Sequence, residues 1–399
     1  MSRYLVVTLP LAGHVYPALG LARELAARGH EVAWAGSEMM LRPLVGPDAN
    51  VFPTGSRLFR EQGGSGMAAI KSLWARFIVP YAKFILPGVD RAVRAFEPDM
   101  LLVDQHAAAG AIVAHRHGLP WATLAVSAME LTQPYRSLPK VTGWTDELLR
   151  MLWTRAGLPA REFVDPRNSP YLVLAYFTPT LVGRRAFDEH VRLVGPMLTA
   201  RPGAPDFPYD WLDPDRKHVL VTMGTLAKEL ATDFYGRAID GLAPLGEKIQ
   251  TIIVGPAEAL PTPPDHIMIT SSVPLLQLMP RLDAVVGHGG INTVAEALSN
   301  GVPMVIAPIR HDQPVVAAQV AGAGAGLRVK FGRVRPAELA AAVTTILDDP
   351  SYRAGAARVA ESFRAAGGAA EAARQLERLQ QTVAGRRSFV VQPSSNVLA

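Results

Sequence analysis

The segment DAVVGHGGINTVAE, at residues 283–296, carries more information about the fold than any other stretch. It opens with a short apolar run typical of a buried strand, and Thr293 to Leu298 has the composition of a helix that ends at Asn300-Gly301. A strand, a glycine turn and a helix therefore follow one another. Glycine lets a ligand approach the backbone closely, and a helix N-terminus favours a phosphate. We expect an anion-binding turn here, with His288 as a side-chain donor.

Thr293 and Glu296 permit another interpretation of the same turn. Their spacing is that of a capping box, in which both side chains only satisfy N–H groups at the start of the helix. Glycine after a strand is also common in α/β proteins. Helix capping and ligand contact therefore both remain open for Glu296.

Composition restricts the class of protein. At 399 residues the chain exceeds the usual size of one hydrophobic core, so two domains are expected. With 49% hydrophobic and 19% charged residues, the composition argues against a disordered chain. No apolar stretch approaches the roughly 20 residues of a transmembrane segment, and no signal-peptide pattern precedes the first strand, so a cytoplasmic protein is expected. The absence of cysteine removes disulfides and thiolate chemistry.

The net charge of +5 does not indicate a nucleic-acid partner, because basic clusters interleaved with aromatic residues are missing. An anionic small molecule is the better partner for this charge.

Apolar runs and helical stretches alternate through the first half. A βαβ unit is predicted at the start, with a strand at Tyr4–Leu9, a helix from Pro17 to Arg28 and a second strand at Glu31–Gly36. Proline is predicted at the first position of this helix. The strand Met100–Asp104, a helix over residues 107–117 and another strand from Trp121 continue the pattern. It predicts a parallel sheet with helices on both faces.

A second alternating set follows a segment, residues 198–216, that is dense in proline and aspartate and is interpreted as a linker. The set comprises six apolar runs: His218–Met223, Gln250–Val254, Ile267–Thr270, Asp283–Val286, Met304–Ala307 and Leu327–Lys330. The predicted fold class is α/β, with two doubly wound Rossmann-like domains facing a cleft. The first domain is predicted to span residues 1–200 and the second domain residues 217–372, with a linker over 201–216 between them. A C-terminal helix over 373–385 is predicted to pack back toward the first domain, and a tail follows over 386–399.

Two insertions of the first domain, residues 55–88 and 129–161, are rich in aromatic residues and methionine. This density of aromatic residues and methionine suits a pocket for a flat or hydrophobic ligand, although ordinary packing of helices on the sheet explains it too. The candidate pocket residues are Met67, Trp74, Phe77, Tyr81, Met129 and Trp144.

His14 and Asp104 are the candidate catalytic pair. His14 follows the first strand and Asp104 ends the strand Met100–Asp104, so both are expected at the carboxyl edge of the first sheet, where doubly wound folds place ligands. A carboxylate that reaches the His14 ring would hold one tautomer and stabilise the imidazolium when the other nitrogen takes a proton. Helix capping is the alternative role for each residue.

Three stretches resemble the UDP-glycosyltransferase superfamily, family 1 of the GT-B glycosyltransferases, and within it the bacterial enzymes that glycosylate macrolides and other secondary metabolites. They are Gly13-His14-x-x-Pro17, Val221-Thr222-Met223-Gly224-Thr225, and the run from Val273-Pro274 through His288-Gly289-Gly290, Thr293, Glu296-Ala297, Gly301-Val302-Pro303-Met304 and Pro308 to Asp312-Gln313.

The resemblance implies a role for each matching residue. His14 would deprotonate the acceptor hydroxyl and Asp104 would orient His14. In the implied donor site, the diphosphate contacts His288, Gly290, Asn292 and Thr293 on one side and Gly224 and Thr225 on the other. Glu296 would bind the ribose, and Asp312 and Gln313 would bind the donor sugar. Val273 would lie beside the base.

The implied reaction is inverting and needs no metal and no cofactor. A UDP- or dTDP-hexose is the co-substrate, and a hydroxyl of a hydrophobic natural product is the acceptor. Plant members carry tryptophan and glutamine where this chain has Ser272 to Leu275, so recognition of the base must differ here. The expected state is a monomer or a homodimer.

Three alternatives remain at this stage. The chain could be a non-catalytic binding or partner protein with the GT-B fold, or a nucleotide-sugar epimerase or hydrolase. An NAD-dependent dehydrogenase is the most distant, because no G-x-G-x-x-G follows the first strand of either domain.

Overall fold

The computed structural model describes residues 1–56, 66–133, 138–224 and 231–390. Within these residues, seven parallel strands form the first sheet, in the order β3-β2-β1-β4-β5-β6-β7. Each strand is a short, mostly apolar run, as expected where helices cover both faces of a sheet. The strands are β1 (Arg3–Val7), β2 (Glu31–Gly36), β3 (Asn50–Pro53), β4 (Met100–Asp104), β5 (Trp121–Ala125), β6 (Leu172–Ala175) and β7 (Val191–Leu193).

The second sheet repeats this topology. In the described part of the chain it has six parallel strands in the order β10-β9-β8-β11-β12-β13, and it is built from residues after the linker. Its strands are β8 (Lys217–Thr222), β9 (Ile249–Val254), β10 (Ile267–Thr270), β11 (Ala284–Gly287), β12 (Met304–Ile306) and β13 (Gly326–Arg328).

Helices cover both faces of each sheet, and no helix in the described ranges is long and apolar enough to cross a membrane. A π-helical turn, Leu73–Ile78, joins α3 to α4. The helices are α1 (Ala12–Ala27), α2 (Glu38–Val45), α3 (Gly66–Ser72), α4 (Val79–Phe96), α5 (Ala108–Arg116), α6 (Met129–Thr132), α7 (Pro139–Arg155), α8 (Pro179–Val182), α9 (Thr232–Leu242), α10 (Leu275–Leu278), α11 (Ile291–Ser299), α12 (Gln313–Gly322), α13 (Pro336–Asp348), α14 (Pro350–Ala366) and α15 (Gly368–Val390).

The strand order creates one switch point in each sheet. The chain leaves β1 toward one edge and returns at β4 beside it, and β8 and β11 do the same in the second sheet. Neighbouring helices diverge from such a point and leave a crevice at the carboxyl ends of the strands. The predicted two-domain α/β fold is confirmed, and each domain contributes one crevice.

The first helix begins earlier than the sequence pattern indicates. α1 starts at Ala12, so Pro17 lies inside the helix and not at its first position. Proline lacks the N–H that an interior position would donate, but the hydrogen bond is lost only one turn from the helix start. As a result His14 belongs to the first turn of α1, and the expectation of a turn before the helix is wrong there.

The last helix joins the two domains. After α14 the chain returns to the first domain, where the N–H of Gly368 donates to the carbonyl of Val194 at 2.7 Å. Ala372, Ala373 and Leu376 of α15 are fully buried in the same apolar cluster as strand β1. This helix begins at Gly368, five residues before the start expected from the sequence.

Two glycines of α9 give a test of the packing in the second domain. A Cβ on Gly241 would lie 2.4 Å from the carbonyl oxygen of Pro336 at the start of α13, whereas a Cβ on Gly236 would meet nothing within 4 Å. We expect Gly241→Ala to destabilise the protein by about 1–3 kcal/mol through overpacking, and Gly236→Ala to stabilise it by up to about 1 kcal/mol through helix propensity. Denaturant unfolding of both variants measures the difference, and equal stabilities would contradict this packing.

Candidate active site

A cleft of about 1220 Å³ lies between the carboxyl ends of the two sheets. Its walls come from both domains, with α1 and the aromatic insertions on one side and the loops after β8, β11 and β12 on the other. Of the residues predicted for a site, those that line it are His14, Trp74, Phe77, Met129, Gly224, Val273, His288, Gly290, Asn292, Thr293, Asp312 and Gln313. The fold therefore brings most of the predicted residues to one cavity.

His14 and Asp104 form a hydrogen-bonded pair at the first switch point. His14 Nδ1 lies 2.7 Å from Asp104 Oδ2, and the other carboxylate oxygen accepts the N–H of His106 at 2.8 Å. Asp104 is only 1% exposed, whereas the His14 side chain is 21% exposed to the cleft. Burial opposes ionisation of Asp104, but His14 and these hydrogen bonds outweigh it, so its pKa lies below the ordinary value. The pair leaves His14 Nε2 for a ligand.

A second group of charges lines the cleft next to Trp74. Arg167 pairs with Glu130 at 3.2 Å and with Asp165 at 2.7 Å, and it also pairs with Asp146. His106 Nε2 lies 3.6 Å from Glu130. Burial opposes protonation of His106, but Glu130 and the more distant carboxylates outweigh it and raise its pKa. This cluster gives the side of the cleft formed by the first domain a charged region beside its aromatic residues.

The group His14, Asp104 and His106 could also hold a metal ion by residue type, since its ligand atoms all lie within 4.8 Å of one another. Both oxygens of Asp104 already accept hydrogen bonds from the other two residues. These contacts describe an oriented histidine, and a reaction without a metal stays a prediction.

The second switch point holds His288 between two glycines. A Cβ on Gly224 would lie 2.6 Å from His288 Cε1, and a Cβ on Gly290 would lie 2.6 Å from His288 Nε2. Only glycine therefore fits at either position with the ring where it is. Burial lowers the pKa of His288, against the opposing effect of Asp312, so the ring is neutral near pH 7. Its Nδ1 has no hydrogen-bond partner among the described residues.

Helix α11 begins beside this ring, and its start differs from the capping box that the spacing permits. Gly290 is the N-cap and makes no side-chain cap, which puts Thr293 in the first turn. The side chain of Glu296 pairs with Arg201, so the capping interpretation is wrong. Asn292 Nδ2 lies 3.5 Å from the carbonyl oxygen of Ala12. The first turns of α11 and α1 are therefore in contact across the cleft.

Glu296 lies behind the cleft wall. It is 2% exposed, and its Oε1 pairs with Arg201, which does line the cleft. The Arg201 guanidinium also lies 4.7 Å from the ring centroid of Tyr16. The structure thus places an arginine of the linker between Glu296 and the space where a ligand would lie.

The loop before α12 is held by its own glutamine. Gln313 Oε1 accepts the N–H groups of Ile309 at 2.9 Å and Arg310 at 3.0 Å. His311, which lies between Arg310 and Gln313 in the chain, has a left-handed backbone with φ of 57°. The amide nitrogen of Gln313 and the carboxylate of Asp312 are polar groups at the cleft that this loop can offer to a ligand.

Three predicted pocket residues are not part of the cleft wall. Met67 is 52% exposed, and Tyr81 is 2% exposed with its hydroxyl donating to the carbonyl of Thr8 at 3.2 Å. Trp144 packs against the core of the first domain. The aromatic pattern could not separate these from Trp74 and Phe77, because a helix turns its aromatic residues to different sides. Thr225 lies outside the described residues.

Sequence reasoning also missed residues that line the cleft. His106 could have been found from its spacing two residues after Asp104. Arg201, Glu130 and Arg167 carry no local signal, because their partners are distant in the sequence.

Comparisons with known proteins agree with the fold. Residues 239–379 match the family described as "Erythromycin biosynthesis protein CIII-like, C-terminal domain". The 4'-demethylrebeccamycin synthase of Lentzea aerocolonigenes is 29% identical, over 91% of this chain and 96% of the relative.

Two solved structures share the fold along nearly the whole chain. The glycosyltransferase of kitacinnamycin has a TM-score of 0.77 at 25% identity, covering 95% of this chain and 98% of that one. The glycosyltransferase VinC, solved in complex with dTDP, has a TM-score of 0.77 at 20% identity, covering 95% of this chain and 100% of that one. The fold, the cleft and these relatives together support the resemblance to the UDP-glycosyltransferase superfamily, and the chain is a glycosyltransferase of the natural-product type with the GT-B fold.

Proposed function

We propose that this enzyme transfers a hexose from a UDP- or dTDP-sugar to a hydroxyl of a hydrophobic natural product, with inversion at the anomeric carbon. The observation that carries the proposal is the 2.7 Å contact between His14 Nδ1 and the buried Asp104, which faces His288 and the start of α11 across one cleft. A base on one wall and an anion site on the other are what a direct displacement requires.

The donor side supplies the anion site. The free N–H groups and the dipole at the start of α11 favour a diphosphate, and neutral His288 donates a further hydrogen bond without bringing a charge. Asn292 and Thr293 lie in the same first turn of the helix. The glycosyltransferase VinC was solved in complex with dTDP, which supports a nucleoside diphosphate as the ligand of this wall.

The reaction is then a single displacement. His14 Nε2 takes the proton of the acceptor hydroxyl, and the oxygen attacks the anomeric carbon as the bond to the diphosphate oxygen breaks. The electron pair of that bond leaves with the nucleoside diphosphate, whose growing negative charge is met by the helix N-terminus and His288. Asp104 keeps Nδ1 protonated and stabilises the imidazolium that forms.

The acceptor side explains the choice of a hydrophobic substrate. Trp74, Phe77 and Met129 line the cleft next to the apolar side chains of Ile70 and Leu73. Glu130 and Arg167 face the same space and can hydrogen-bond polar groups of the acceptor. The match to an erythromycin biosynthesis family supports an acceptor of the polyketide or macrolide type.

Replacing His14 with alanine tests the base. We expect His14→Ala to lower kcat for an alcohol acceptor by about 10²–10⁴, the usual contribution of a general base, while the Kd of the nucleoside diphosphate changes little. Turnover followed by mass spectrometry and binding followed by calorimetry separate the two effects. His190→Ala, which removes a histidine outside the cleft, is the matched control. Full transfer activity in His14→Ala would rule out the assigned role.

Replacing Gly290 with alanine tests the placement of His288. The backbone of Gly290, with φ of −63°, accommodates alanine, but the new Cβ would displace the His288 ring. We expect the affinity for the nucleoside diphosphate to fall about tenfold, since one hydrogen bond to a charged group is lost. The double variant Gly290→Ala/His288→Ala should bind as His288→Ala does. Gly322→Ala, where a Cβ meets nothing within 4 Å, is the control. Wild-type affinity in Gly290→Ala would contradict this arrangement.

A further inference from the structure

The ring of His106 lies between the proposed base and the aromatic residues of the cleft. Its centroid is 5.9 Å from that of the His14 ring and 6.0 Å from that of the Trp74 ring, with the ring planes at 74° in both pairs. The side chain is 14% exposed and lines the cleft. The proposed displacement uses only the backbone N–H of His106, which leaves this ring without a role.

Two carboxylates of the first domain act on the His106 ring. Nε2 of His106 lies 3.6 Å from Oε1 of Glu130, and Arg167 pairs with the other oxygen of Glu130 at 3.2 Å. A side-chain nitrogen of His106 also lies within 4.8 Å of the His14 ring and of the Asp104 carboxylate. Among the described residues, the charged and titratable groups around the ring are Asp104 of its own loop, His14 of α1, Glu130 of α6 with its partner Arg167, and Asp312 of the second domain.

These carboxylates hold a proton on His106. Burial opposes protonation, but Glu130 outweighs it, and Asp104 and Asp312 add to the effect, so the pKa of His106 is raised. Burial raises the pKa of Asp104, but His14 and, to a lesser degree, His106 lower it overall. At pH 6.5, the ordinary histidine value, and below, His106 is therefore mainly an imidazolium beside the pair of His14 and Asp104.

A charge on His106 changes what Asp104 does for His14. Two like charges separated by the 5.9 Å between these ring centroids repel each other appreciably, even at an effective dielectric constant of about 20. While His106 is protonated, it neutralises part of the field of Asp104 and opposes the imidazolium that His14 forms during the reaction. Once His106 has lost its proton, the whole carboxylate charge stabilises that imidazolium.

We propose that His106 is a positioning residue that divides the charge of Asp104 with His14, so that the full carboxylate charge supports proton transfer to His14 only after His106 is deprotonated. Glu130 sets the pH at which this happens, because its carboxylate holds the proton on His106. The inference rests on the proposed role of His14 as the base.

The test is the pH profile of kcat/KM for transfer to an alcohol acceptor, measured on the full-length protein across the range in which histidine titrates. His106→Asn removes the ring but keeps the backbone N–H that Asp104 accepts. Glu130→Gln keeps the ring but removes the charge that holds its proton. His115→Asn is the matched control, because His115 pairs with Glu162 at the same 3.6 Å but does not line the cleft.

For the wild type and His115→Asn, we expect kcat/KM to rise with pH in two steps, because two coupled groups lose protons. The intermediate level should lie about three- to tenfold below the final plateau, which is the scale of one charge at this distance. His106→Asn should show a single step to the same plateau. Glu130→Gln should keep both steps, with the upper one moved down by about one pH unit or more.

Proton NMR of the histidine rings gives a readout that does not require turnover. The His14 signal, assigned by its loss in His14→Ala, should shift in two steps as the wild type is titrated and in one step in His106→Asn. The His106 signal should titrate at lower pH in Glu130→Gln than in the wild type. His106→Gln replaces the asparagine variant if that variant does not fold.

Three results would overturn the inference. They are a His14 signal that titrates in one step in the wild type, a His106→Asn profile lowered by the same factor at every pH, and a Glu130→Gln profile whose upper step stays at the wild-type pH. The second would show that the ring has only a structural role. None of these results affects the proposed transfer reaction, whose own failure would appear as full activity in His14→Ala.

Discussion

The buried carboxylate of Asp104 is the constraint on which the site depends. A charge that is 1% exposed is stable only when its oxygens are satisfied, and here one oxygen meets His14 and the other meets the N–H of His106. Meeting this requirement fixes the His14 ring, because Nδ1 must point at Asp104 and Nε2 must point at the cleft. The same charge that would be costly in an apolar core therefore orients His14, the residue proposed as the base.

Each domain contributes one wall of the cleft, and the two domains share the same strand topology. In each sheet the switch point lies between the first and fourth strands of that domain, and polar side chains lie there, His14 with Asp104 in one sheet and His288 in the other. The linker and α15 hold these crevices face to face, since α15 is buried against the first domain through Ala372 and Ala373. The proposed proton acceptor and the proposed anion site then lie on opposite walls of one cavity, and the position of each is set by strand order and not by loop length.

The sequence predicted the fold and the residues that depend on local pattern. The apolar runs, the glycine turn around His288 and the strand that ends at Asp104 all carry signals over a few neighbouring residues. Other features depend on packing between distant segments. No spacing could show that the linker residue Arg201 covers Glu296, or that Tyr81 turns into the core while Trp74 faces the cleft. The early start of α1 was missed because proline is more common at the first turn than within a helix.

The stereochemistry of the product tests the central claim most directly. A single displacement by an acceptor oxygen activated at His14 must invert the anomeric carbon, whereas a reaction through a glycosyl-enzyme intermediate retains its configuration. The measurement is the proton NMR spectrum of the product formed from an α-configured nucleotide sugar, read at the anomeric signal. We predict a β-linked product throughout the time course. An α-linked product would contradict the assignment of His14 and Asp104 as the base and its orienting carboxylate.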